Sequence, residues 1–229
     1  DGTLVCLTPG ESISMKGNNK EFPSKGWILA FHPDLICGTP LGLNIHNYTF
    51  FSYCPEEALH LSLREKQIIL EFLERIRQEL ERCIDRHSKK IISKYIELLL
   101  DYCTRFYERQ FITRSEVNKK VFREFNHLLD NHFNVKVSLS TDVLSDEYCA
   151  NLLHLSPAYF NDLLKYEIGK EFKEYIQFKR FEIAKGWLVN TDKTLGQIAQ
   201  ELGFSNSQYF SRLFKKITGC SPNEFRMPN

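Results

Sequence analysis

The chain has 229 residues, is 42% hydrophobic and 26% charged, and carries a formal net charge of +1. That balance suits a soluble globular protein of one or two domains, and its sum of charge does not announce nucleic acid. No apolar run reaches the roughly 18 residues that a membrane-spanning helix needs, and no N-terminal segment reads as a signal peptide. The seven cysteines (Cys6, Cys37, Cys54, Cys83, Cys103, Cys149 and Cys220) are scattered and form no CxxC pair, so reduced thiols in a cytoplasm are expected. The chain opens on Asp1 directly into apolar sequence, and the natural N-terminus is expected further upstream.

Residues 1–60 hold five of the eight prolines. Within them Thr3–Leu7, Gly26–Phe31 and Tyr48–Phe51 are apolar segments bounded by chain breakers, and composition predicts three short strands. The piece is β-rich but too small for a complete barrel.

From Ser62 the pattern turns helical. Ser62-Leu63-Arg64-Glu65 has the form of a capping box, in which the serine and glutamate side chains satisfy each other's free backbone N–H groups. Ile69, Phe72, Leu73, Ile76 and Leu80 follow at helical spacing. A second helix is expected from Lys89 to Glu108, with Ile92, Ile96, Leu99 and Phe106 on one side. The break at Asp85–Ser88 makes the two a helical hairpin. A third helix is expected from Ser115 to His132, and Asn134–Thr141 is a linker in which Val135, Val137 and Leu139 alternate with polar residues.

The sharpest signal is an internal repeat. At an offset of fifty, Tyr159, Phe160, Leu163, Lys165, Gly169 and Glu174 match Tyr209, Phe210, Leu213, Lys215, Gly219 and Glu224. Upstream the offset is forty-nine, with Ala150, Leu153 and Ser156 matching Ala199, Leu202 and Ser205. Each copy reads as a short helix, a tight turn and a second helix. In the second copy Thr194–Gln197 is a capping box, Ile198, Ala199 and Leu202 form a buried stripe, and Gly203 ends the first helix with a positive φ. Phe204 plugs the corner. Ser205–Gln208 is read as another capping box, and Phe210, Leu213, Phe214 and Ile217 as the apolar stripe of the second helix.

The polar face of that helix holds Asn206, Ser207, Gln208, Ser211, Arg212, Lys215 and Lys216, three cations and no acid. Glutamine can pair with adenine and arginine with guanine in the major groove, while lysine neutralises phosphate. The alternative is an ordinary solvated face, which the turn, the capping and the second copy all weigh against. Residues 141–229 contain eleven lysines and arginines and eleven acids, so any affinity for DNA must come from where charges sit.

The segment Gly203–Lys216, followed by Gly219-Cys-Ser-Pro222 and Arg226, resembles the signature of AraC-type bacterial transcription regulators, as does Arg180–Leu188. The resemblance is specific over Val143–Arg226. Over residues 1–133 it is weaker: Phe31–Asp34 and Phe50–Tyr53 resemble the tail of the cupin-like sensor barrel found in that family. It implies a mainly α protein. The organisation would be a partial cupin-like sensor at residues 1–60, a helical hairpin and connecting helix serving dimerisation at 61–133, a linker at 134–141, and a DNA-binding domain at 142–229. In that last domain two helix-turn-helix units are joined by one central helix, here Phe172–Val189, which places both recognition helices in successive major grooves about 34 Å apart. Carried over by position, the base-facing residues are Ser207, Gln208, Ser211 and Arg212 in the second unit and Ala158, Asn161 and Asp162 in the first, with Lys165 on phosphate. The implied partners are duplex operator DNA, a second copy of the chain, a small-molecule effector and RNA polymerase. No enzymatic activity, cofactor, metal or membrane is implied.

The first unit departs from the pattern. Asp162 stands where Arg212 stands in the second copy, and Leu164 where Phe214 stands. A carboxylate repels phosphate, so asymmetric recognition is expected. His32 and His46 with Cys37 and Cys54 invite a metal reading, but no HxH pair with a following Glu is present, and structural or surface roles are expected. The apolar stripes of the hairpin could cover the β-rich piece or could dimerise through residues 63–109; in the latter case Tyr95, Tyr102 and Phe106 on Ile91–Phe106 are the aromatic anchors. Two other functions stay open: a cupin-like small-molecule-binding protein or enzyme with an accessory helical domain, and a helical interaction module without DNA.

Overall fold

The computed structural model of the chain describes residues 2–11, 26–134 and 144–227. The chain divides into two compact units, residues 1–115 and 116–229. Among the described residues no helix is long and apolar enough to cross a membrane. Most of the 134–141 linker lies outside the described residues.

In the first unit, strand β1 (Gly2–Leu4) pairs antiparallel with β2 (Leu59–Leu61), Thr3 opposite His60. These two strands are the only sheet among the described residues. The β-rich expectation is therefore corrected. Thr3–Leu7 is strand only as far as Leu4. Gly26–Phe31 is irregular, with Ile28 94% exposed, because among the described residues no strand lies beside it to take its backbone bonds. Thr49–Ser52 is a 3-10 helix, which satisfies those groups locally by i→i+3 bonds. Phe31–Asp34 leads into a helix, α1 (Pro33–Ile36), and the cupin-like barrel finds no support. His32 caps α1, its Nδ1 accepting from the Asp34 N–H at 3.2 Å, with Pro33 at the first helical position. A second short helix, α2 (Pro40–Asn44), is capped by Thr39.

The hairpin follows as α3 (Leu63–Leu80) and α4 (Ser88–Thr113). The Ser62/Glu65 capping box is present: the Ser62 hydroxyl accepts from the Glu65 N–H at 3.3 Å and Glu65 accepts from the Ser62 N–H at 2.8 Å. Ile69 and Ile76 on α3, and Ile92, Ile96, Leu99, Cys103 and Phe106 on α4, are buried around Leu41, Phe50, Leu59 and Leu61. The stripes thus cover the N-terminal piece. Phe106, 5% exposed, is a core residue and not an interface anchor; Tyr95 and Tyr102 are half-buried against the same core. Gln110 locks β2 to α4, accepting from the His60 N–H at 2.8 Å and donating to the Ala58 carbonyl at 3.2 Å. A buried amide with both ends paired avoids the penalty of an orphaned polar group.

Helix α5 (Ser115–Asn134), which the sequence groups with the hairpin, has its core in the second unit. Phe125 and Leu129, both fully buried, join Cys149, Ala150, Phe160, Leu164, Phe172, Tyr175 and Ile176. The Phe125 ring meets Phe160 edge-on at 5.0 Å, and Tyr175 donates its hydroxyl proton to Asn126 Oδ1 at 2.6 Å. Removal of the Phe125 ring is expected to leave a cavity costing about 3–5 kcal/mol. Phe125→Ala, measured by guanidinium denaturation, checks this; a loss under about 1 kcal/mol would mean that α5 is not part of this core.

Candidate nucleic-acid interface

The second unit is built as two helical pairs on one central helix. The pairs are α6 (Asp146–Leu152) with α7 (Pro157–Ile168), and α9 (Leu195–Glu201) with α10 (Ser207–Thr218). Between them runs α8 (Phe172–Asn190), and α11 (Pro222–Arg226) closes the described chain. Phe172, Tyr175 and Ile176 on α8 bury against the first pair, while Phe181, Ala184 and Leu188 bury against the second. Arg226 fastens the C-terminus to α8 and the following loop, donating to the Leu188 carbonyl at 3.2 Å and to the Lys193 carbonyl.

The two turns share one backbone device. Leu155 N–H donates to the Ala150 carbonyl at 2.9 Å, and Phe204 N–H to the Ala199 carbonyl at 2.8 Å. Each closure needs a left-handed residue just after the first helix. Gly203 supplies it in the second pair at φ 73°; in the first pair His154 takes it at φ 56°, a conformation that is strained for a side-chain-bearing residue. The second turn is one residue longer, and Ser205 is the extra residue.

That insertion corrects the capping expectation. Asn206, not Ser205, caps α10: its Oδ1 accepts from the Tyr209 N–H at 2.7 Å. Ser156 does the same for α7 on the Tyr159 N–H, so the fifty-residue offset begins at the cap itself. The Thr194/Gln197 box on α9 is present as expected. Phe210 and Phe214 are fully buried and stack among Phe181, Phe204 and Phe225. Ile217 is 52% exposed, a second correction: the last turn of α10 runs past the core before Gly219 reverses the chain at φ 85°.

The polar face of α10 is open. Gln208, Arg212, Lys215 and Lys216 are exposed, as is the cap Asn206. Ser207 and Ser211 are half-buried, and the Ser211 hydroxyl donates back to the Ser207 carbonyl at 2.8 Å, which leaves its oxygen free to accept only. The Arg212 guanidinium lies 5.7 Å from the centre of the Tyr209 ring, itself 39% exposed. This cation–π contact braces the arginine over α10. The sequence analysis missed it, although Tyr and Arg three residues apart on a helix were its signal. Lys215 also lies within electrostatic reach of Glu224, whose carboxyl is held below its usual range first by the Ser221 N–H and hydroxyl.

The corresponding face of α7 differs. Ala158, Asn161 and Asp162 are half-buried, and Lys165 is exposed. The Asn161 amide is spent inside the protein, donating to Asp146 Oδ2 at 2.9 Å and to the Pro157 carbonyl at 3.0 Å. Asp162 has interactions within the chain as well. Tyr159, the counterpart of exposed Tyr209, is 5% exposed. The structure thus brings the second set of candidate residues together on an unobstructed face, and ties much of the first set to its own scaffold.

Residues 149–227 match the model of a helix-turn-helix domain family. The chain is 33% identical over 111 residues to the HTH-type transcriptional regulator YtdP of Bacillus subtilis, covering 48% of this chain and 14% of that protein. It is 32% identical over 101 residues to the arabinose operon regulatory protein of Salmonella typhimurium, covering 44% of this chain and 32% of that one. With the HTH-type transcriptional regulator YijO of Escherichia coli the similarity runs through 225 residues at 24% identity, 98% of this chain and 76% of the relative. The chain therefore spans a small part of the first two relatives and most of the third. Through residues 149–227 the chain carries a helix-turn-helix domain, and there it is similar to HTH-type transcription regulators, the arabinose operon regulatory protein among them.

Proposed function

We propose that this DNA-binding regulator recognises its operator chiefly through α10, with α7 contributing position. The observation that carries this reading is the open polar face of α10, on which Gln208 and Arg212 are exposed and no acid is present. Gln208 and Arg212 are the base readers, for adenine and guanine edges respectively. Ser207 and Ser211 lie beside them on the neighbouring flank of α10, and Asn206, Lys215 and Lys216 meet the phosphates. On α7, Lys165 holds phosphate, Ala158 offers an apolar contact, and Asn161 and Asp162 serve mainly the scaffold. The 19 residues of α8 rise about 28 Å, which suits two readers following one face of the duplex.

The remainder of the reading concerns the first unit, which senses a small-molecule effector and joins two copies of the chain. On α4, Ile91 and Leu98 are exposed and Tyr95 and Tyr102 half-buried, at spacings of four, three and four residues along one flank. That flank suits a second copy packing helix against helix. A regulator of this kind works beside the chromosome, in the cytoplasm.

Gel-shift titration against operator DNA selected from random sequence tests the reading. Affinity should fall steeply with salt, as phosphate contacts require. Arg212→Ala should lose roughly 1–3 kcal/mol and relax specificity at one base position, whereas Asn161→Ala should stay within about 0.5 kcal/mol. Equal losses from the two variants would contradict the asymmetry; no loss from Arg212→Ala would remove α10 as the principal reader. For assembly, sedimentation should show wild-type dimers and a Leu98→Glu monomer. A wild-type monomer at micromolar concentration would contradict the α4 interface.

A further inference from the structure

The first unit contains a cleft of about 340 Å³ between the α1–α2 connection and the first two turns of α4. Arg86, Lys89, Lys90 and Lys94 line it together with the hydroxyl-bearing Thr39 and Ser93, and no carboxylate is among its lining residues. Lys94 is paired with Glu97 at 2.6 Å, and Arg86 Nε donates to His87 Nε2 at 3.0 Å. Asp85, just outside, is turned to the backbone N–H groups of His87 and Ser88. Lys89 and Lys90 are exposed and have no acid partner among the described residues. Four cations against two nearby acids leave a surplus of positive charge, and the N-terminal end of the 26-residue α4 adds to it. The wall is rigid: the buried Ser93 hydroxyl donates to Thr39 Oγ1 at 3.1 Å, and Thr39 donates to the Ile36 carbonyl at 2.6 Å.

Like charges converging on one cleft repel. An anion of high charge density offsets that repulsion, and the volume falls at the small-metabolite end of ligand sites, about 300–1,000 Å³. We infer that this cleft binds a small phosphate-bearing metabolite, gripped by Lys89 and Lys90. The inference deepens the regulator reading, on which it rests only in making that metabolite the effector.

Calorimetric titration of the full chain with inorganic pyrophosphate tests it. Wild type should bind, and the double variant Lys89→Ala/Lys90→Ala should bind at least tenfold more weakly while shifting operator DNA as wild type does. Absence of binding, or equal binding by the variant, overturns the site. So does a variant that loses DNA affinity along with pyrophosphate, since the cleft would then be a contact for the DNA backbone. A wild-type chain that binds pyrophosphate at this site but shifts no DNA would sink the regulator reading and leave the site standing.

Discussion

Helix α8 is the constraint on which the second unit depends. At about 100° per residue, Phe172, Tyr175 and Ile176 fall on one side of the helix, and Phe181, Ala184 and Leu188 fall nearly opposite. The buried face changes sides near Lys179–Phe181. One element therefore carries two cores, and each core holds one helical pair. Ala184, fully buried, keeps that second crossing close. At the change-over Arg180 has its Nε buried without a hydrogen-bond partner among the described residues, its guanidinium 6.0 Å from the Phe204 ring. Burial lowers its basicity, and burial and that cation together hold His132 below the usual histidine range. A charge kept there carries a desolvation cost that its neighbours do not offset with a hydrogen bond to Nε.

The two pairs have the same backbone plan and different surfaces. The left-handed turn residue is glycine in one and histidine in the other, and Ser205 lengthens only the second turn. That extra residue frees Ser205 from capping and leaves the task to Asn206. On α7 and α10, the internal bond from Asn161 to Asp146 and the burial of Tyr159 contrast with exposed Tyr209 and its overlying Arg212. The two copies share their core positions, Phe160 and Phe210 occupying equivalent sealed sites, and differ in what faces outward.

Much of the second unit was legible in the sequence because its signals are local and periodic. Capping residues, Gly203, Gly219 and the i, i+3, i+4 stripe each act within one turn of helix, and the repeat checked each against its copy. The errors arose where the deciding partner is distant or the pattern non-periodic. A one-residue slip in the turn moved the cap from Ser205 to Asn206, and both residue types are favoured helix caps. The change of buried face along α8 is invisible to a single-period search. In the first unit, apolar composition at Gly26–Phe31 and Tyr48–Phe51 suggested strands, but a strand exists only where another lies beside it, and among the described residues only β1 and β2 pair. Of the candidate site, the identity of the α10 face was legible; the internal use of Asn161 was not, because Asp146 is fifteen residues away on another helix.

The central claim is that one helix holds two readers at a fixed spacing, of which the second dominates. Hydroxyl-radical footprinting of the full chain on its selected operator tests that most directly. Two protected patches per protomer, about 10 bp apart on one face of the duplex, are predicted, the one under α10 deeper than the one under α7. A single patch, or two on opposite faces, would contradict the account.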